Sequence, residues 1–164
     1  MLKNLRNKRD GFTLIEILVV IGIIAVLAAV VLIAINPARQ FAQARDSQRS
    51  SNVNSIINSI GQRLADCKGI FGGLCGGITC PALPTAGVAD EVRSILNDNS
   101  ALTATTIGLG CIAPTYMSAV PFDPQASGTD TGYDLIIETI AEGGRTTILA
   151  PLTEIAIPDI SVTR

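Results

Sequence analysis

One hundred and sixty-four residues suffice for about one domain and exclude a large multi-module enzyme. Zero His removes imidazole bases, Ser-His-Asp and Cys-His nucleophile systems and His-containing metal sites, while zero Trp and 4% aromatic residues lend no support to stacking platforms for nucleic acid or sugars. The net charge of −2 conceals an asymmetry, because Lys3, Arg6, Lys8 and Arg9 against Asp10 give the first eleven residues +3 and leave −5 for the rest.

Residues 1–11 read as a short basic leader. Hydrophobic residues make up 48% of the chain and charged residues only 16%, against roughly 25% in soluble domains. The excess is local. Phe12 to Ile35 is a run of 24 residues in which Thr13 and Glu16 are the only polar side chains. As a helix it would reach roughly 36 Å, enough to cross a bilayer core of about 30 Å, and it is longer than the apolar region of an ordinary cleaved signal, although Ala28 and Ala29 resemble a cleavage site. The basic flank places the amino terminus in the cytoplasm, on a narrow bias: four Lys/Arg precede the run, and Arg39, Arg45 and Arg49 follow it.

Beyond Asn36 the pattern becomes that of an amphipathic helix to residue 66, with Phe41, Ala44, Val53, Ile56, Ile57, Ile60 and Leu64 near helical spacing. One long helix follows, half transmembrane (12–35) and half amphipathic (36–66). Pro37 kinks or loosens it, with Gly22 a second weak point; alternatively, Pro37 marks a plain break between an anchor and a separate domain. Arg39, Arg45 and Arg49 are either a phosphate- or headgroup-binding patch or, as is usual at helix surfaces, a solvated face.

The remainder, 67–164, is a globular head. Residues 68–87 are dense in Gly and Pro and read as loop. A short helix is expected over Val88–Asn97, turns from Pro114 to Gly132, a hairpin of Tyr133–Ile140 and Thr146–Ala150 joined at Glu142–Arg145, and an edge strand within Ile155–Val162, where Pro158 is tolerated. The fold class is α+β, a long amino-terminal helix with a small antiparallel sheet.

The most informative residues are Gly11-Phe12-Thr13-Leu14-Ile15-Glu16, between the basic leader and the apolar run. With that context the chain resembles the type IV pilin superfamily, which includes the pseudopilins of type II secretion. The resemblance implies cleavage after Gly11 by a prepilin peptidase and N-methylation of the new amino terminus, Phe12. It makes Glu16 the fifth residue of the mature chain, paired during filament assembly with the Phe12 amine of a neighbouring copy. It also implies an inner-membrane platform protein and an assembly ATPase as partners, with the head outside the cytoplasm and then in a surface pilus or periplasmic pseudopilus. Physical chemistry gives Glu16 a role independently: a carboxylate at mid-bilayer costs about 2.5–3.5 kcal/mol on insertion scales and needs a partner, unless it snorkels to the headgroups. Ala25, Ala28, Ala29 and Ala34 offer close-approach surfaces or are simply good helix formers.

Tyr116 to Pro124, followed by Gly132-Tyr133-Asp134, resembles the segment leading into the sheet of major-pseudopilin-like proteins, some of which bind calcium nearby. Asp123, Asp130 and Asp134 are hard oxygen ligands or turn-forming aspartates in a spacing that fits no standard loop. Cys67, Cys75, Cys80 and Cys111 form two bridges in one of three pairings, a four-thiolate zinc site, or free thiols if the compartment is reducing. No catalytic residue, resident cofactor or specific nucleic-acid partner is expected. A prepilin that polymerises is the reading; a major-pseudopilin-like subunit and a signal-anchored adhesin or binding module that never polymerises are the alternatives.

Overall fold

The computed structural model describes residues 11–84, 91–138, 145–156 and 158–164, and the chain divides into two compact units, Met1–Gln40 and Phe41–Arg164. The basic residues of the leader lie outside the described residues. In the first unit, helix α1 spans Leu14–Ala34, 21 residues or about 32 Å, and passes through Gly22 without interruption. It ends where Ile35 turns extended, at φ −101° and ψ 94°.

Helix α2 spans Pro37–Asp66. Pro37 is its first residue, a position whose amide hydrogen has no intrahelical partner in any helix, and the Asn36 side chain accepts the Arg39 amide at 3.3 Å as its cap. The single kinked helix expected from the sequence is therefore two helices, separated at Ile35 and Asn36.

Within Phe41–Arg164, α2 buries Ala42, Asp46, Arg49, Val53, Ile56, Ile60, Arg63 and, just past its end, Cys67, at alternating steps of four and three residues that keep them on one stripe. The apolar part of this stripe matches the predicted one, but its first turns do not. Phe41 and Ala44 are exposed, while Asp46 and Arg49 point inward.

Facing the stripe is a five-stranded sheet of order β4-β3-β5-β6-β7, with β3 at Glu91–Leu96, β4 at Thr106–Gly108, β5 at Asp130–Ile137, β6 at Thr146–Ala150 and β7 at Ile160–Thr163. All pairings are antiparallel except β3 with β4, which is parallel. Tyr133, Leu135 and Ile137 alternate inward along β5, and with Ile95, Ile107, Ile148 and Ala150 they close over Val53, Ile56, Ile57 and Ile60. The Asn52 amide nitrogen, donating to the Tyr133 hydroxyl at 2.8 Å, joins α2 to β5 across this core.

Three expectations are corrected. The predicted helix Val88–Asn97 is strand β3 from Glu91, with 85–90 outside the described residues; Arg93 and Ile95 point inward with period two, and pairing to β5 overrides the local apolar spacing. The Gly-rich loop contains a hairpin, β1 (Gly73–Cys75) and β2 (Ile78–Cys80), turned by Gly76 and Gly77 at φ +58° and +82°, a geometry that glycine adopts without strain. The last strand starts after Pro158 at Ile160. Strand β6 has the predicted bounds, and β5 begins three residues earlier than expected; residues 139–144, including most of the predicted turn, lie outside the described set, although Glu138 and Arg145 close the hairpin through a backbone hydrogen bond at 2.8 Å.

Truncating Ile95, fully buried on the interior strand β3, to Ala should cost about 2–5 kcal/mol in denaturant unfolding of the full-length chain in detergent; a loss below about 1 kcal/mol would contradict this placement of the core.

Candidate functional site

The start of α1 is built by its own side chains. Thr13 is the N-cap, with extended backbone at φ −83° and ψ 152°, and its hydroxyl accepts the Glu16 amide at 3.3 Å. Glu16 reaches back, its Oε2 accepting both the Thr13 amide and the Thr13 hydroxyl at 2.8 Å. This reciprocal capping box satisfies donors that a helix start leaves open, and it sets a carboxylate at the positive end of the helix dipole. Upstream, Gly11 is exposed and non-helical, and the Phe12 side chain is 85% exposed.

No residue of α1 is buried. Glu16 is the only ionisable side chain in the helix, and it lines a shallow groove with Phe12, Ile15, Val19 and Val20. Such a surface in water is opposed by roughly 25 cal/mol per Å² of apolar area. The helix is long and apolar enough to cross a membrane.

The arginines after the apolar run are not a shared solvated face or anion patch. Arg49 is fully buried. Its Nε donates to Asp123 at 2.6 Å and its Nη2 to the other oxygen of Asp123 at 3.1 Å and to Gln125 at 2.9 Å, while Nη1 reaches Asp46 at 2.8 Å and Glu154 at 3.0 Å. Arg45 clasps Glu154 with two bonds of 2.5 Å. Asp46 also takes the backbone amides of Glu154, Ile155 and Ala156 at 3.0, 2.8 and 3.3 Å, so α2 is fastened to the segment after β6 by charge as well as by packing. Hydropathy could not distinguish this arginine from its exposed neighbours. The available signal was positional, since Arg49 stands seven residues before Ile56 and fourteen before the equally buried Arg63.

The aspartates weighed as calcium ligands are dispersed in role. Asp123 is held by Arg49, Asp130 accepts the Gly132 amide at 2.9 Å, and Asp134 accepts the Ser94 hydroxyl at 3.2 Å with burial pushing its carboxyl upward. Among the described residues no three Cys, Asp or Glu groups converge as a metal site. Gly132, at φ +75°, lets Asp123 lie against β5: a Cβ there would stand 2.8 Å from the Asp123 Cβ.

The four cysteines are joined as Cys67–Cys75 and Cys80–Cys111, with Cα separations of 5.9 and 5.4 Å, leaving no free thiol and no thiolate zinc site. One bridge ties β1 to the end of α2, and the other ties β2 to the short 3₁₀ turn Gly110–Ile112. Arg63 completes the fastening, donating to the carbonyls of Phe71, Gly73 and Ile78 at 2.8, 3.0 and 3.3 Å, with its guanidinium 5.5 Å from the Phe71 ring centre.

Two carboxyls in the ion cluster are held well below their ordinary range. At Asp46 burial pushes upward but is outweighed by the Glu154 amide, Arg49 and two further amides, bringing it to about 2; at Glu154 the Arg45 guanidinium, then Arg49, has the same result, about 2. Groups depressed on folding stabilise fully above their unfolded values near 4 and lose that contribution as the pH falls toward 2. Thermal stability of the full-length chain in detergent should therefore hold from pH 8 to about 5 and drop between about 4 and 2, with Asp46→Asn flattening the drop. A decline already complete by pH 5 would contradict it.

Against this geometry, the family model described as the prokaryotic N-terminal methylation motif matches residues 6–32. No curated protein and no solved structure matches the chain. The motif implies processing by a prepilin peptidase and assembly in a pilus-type system. Within that match the structure places an exposed Gly11 and Phe12, the Thr13 cap and Glu16 at the start of an exposed apolar helix, and the chain carries over residues 6–32 the hallmark of type IV pilin and pseudopilin prepilins.

Proposed function

We propose that this chain is the structural subunit of a type IV pilus-like filament, cleaved after Gly11, N-methylated at Phe12 and polymerising through α1. Before assembly α1 anchors it in the membrane as a single span, amino terminus in the cytoplasm and the unit Phe41–Arg164 outside. Its partners are other copies of itself, a prepilin peptidase, an inner-membrane platform protein and an assembly ATPase. It catalyses no reaction of its own.

The observation that carries this reading is a 21-residue apolar helix, unburied along its length, whose one ionisable side chain sits in the first turn, four residues beyond an exposed Phe12 that follows a glycine. Cleavage at Gly11 creates a cation at Phe12. A neighbouring copy then offers its Glu16 a partner of opposite charge in a water-poor setting, where the pair fixes register between helices as well as stability.

Mass spectrometry of the native protein should find a chain that begins at methylated Phe12; an intact Met1, or cleavage beyond Ala28, would overturn the reading. Glu16→Ala should leave membrane insertion intact and lower filament yield about tenfold or more, because the neighbouring amine loses its partner. Unchanged yield would defeat the pairing.

A further inference from the structure

The Thr13–Glu16 capping box decides more than helix stability, because it decides where the helix starts. We infer that Thr13 is a positioning residue for the cleavage itself, stopping α1 at Leu14 and so keeping the Gly11–Phe12 bond in non-helical, exposed backbone that a peptidase can engage. This rests on the reading that the chain is cleaved after Gly11.

In that reaction water adds across the Gly11–Phe12 amide, leaving a carboxylate on Gly11 and a protonated amine on Phe12. The attacked carbonyl must be approachable, and the amide nitrogen must take up a proton. Both are hampered in a helix, whose packed turns wrap the backbone in side chains and draw its carbonyls into hydrogen bonds. At Thr13 the chain has left the helix, and upstream of it the surroundings are open: a Cβ built on Gly11 meets nothing within 4 Å, and Phe12 is among the most exposed large apolar residues described.

The sequence contains a rival start. Asp10 is the next residue upstream with a strong capping side chain. A helix begun there would take Gly11, Phe12 and Thr13 as its first turn and enclose the scissile bond. Thr13 is favoured over it because it caps reciprocally: its hydroxyl takes the Glu16 amide, and the Glu16 carboxylate returns two bonds. No ligand is involved; the side chain selects between two helix starts three residues apart.

Two substitutions separate this role from direct recognition of threonine by the peptidase. Thr13→Val keeps the shape and removes the cap, whereas Thr13→Asn changes the shape and keeps a capping oxygen. With full-length chains in membranes containing the prepilin peptidase, Thr13→Asn should be cut within about twofold of the wild-type rate and Thr13→Val about fivefold more slowly, in line with a lost N-cap. In the uncut full-length chain in micelles, the Phe12 Cα chemical shift should move toward helical values in Thr13→Val alone. Equal cleavage of the two variants, or slow cleavage of the asparagine variant with fast cleavage of the valine variant, overturns the inference while leaving the processing reading in place. An unmoved Phe12 shift in Thr13→Val overturns it as well. A wild-type chain that the peptidase leaves uncut overturns the processing reading first, and this inference with it.

Discussion

An apolar rod of 21 residues with nothing covering it has two environments open to it, the hydrocarbon of a membrane or the sides of other rods. Lipid tails are as apolar as leucine, so exchange of one for the other gains little from the hydrophobic effect itself. Close packing and polar contacts must decide it. That makes the one carboxylate of α1 disproportionately important, because in either environment it is the group whose state depends most on what stands next to it. Its internal partner is Thr13. The bonds it makes there hold it at the start of the helix, beside the place where processing would generate a positive charge.

The unit Phe41–Arg164 meets a different demand. It holds its shape with contacts of its own, and it buries charge beside apolar residues on the α2 stripe. Arg49 and Arg63 are both fully buried on the α2 stripe, one meeting carboxylates and the other backbone carbonyls. A buried guanidinium is weak evidence of stability by itself, since desolvation offsets much of the attraction, but removing one partner leaves the other uncompensated. Both arginines also stitch distant segments together, Arg49 joining α2 to residues 123–125 and 154, and Arg63 joining it to Phe71 and to the hairpin strands at Gly73 and Ile78. With the two disulfides, a stretch dense in glycine becomes a fixed part of the unit.

Legibility tracked the reach of the interactions. The apolar run, the sheet-bearing head and strand β6 were readable because each is written in a local pattern of composition or alternation. Thr13 and Glu16 stand three apart at the head of the apolar run, which is the spacing of a capping box and a local signal as legible as the run itself. What was not readable depended on residues far away. Val92, Ile95 and Leu96 are spaced as on a helix face, and only β5 on one side and β4 on the other make them a strand. Arg49 looks like any arginine on a polar helix until Asp123, seventy-four residues later, is folded against it. Cysteine pairing was equally out of reach, since four cysteines admit three pairings and the spacing prefers none.

The central claim is that α1 passes from lipid to a bundle of its own kind. Site-specific photocross-linking from Val20, at the far end of the groove that begins at Phe12, reads this transfer directly in cells that carry the assembly machinery. The account predicts lipid adducts when the machinery is absent and, when it is present, covalent dimers and longer ladders made only of this chain, joined through α1. Lipid adducts alone in both conditions, or cross-links to unrelated proteins with no self-linked species, would contradict it.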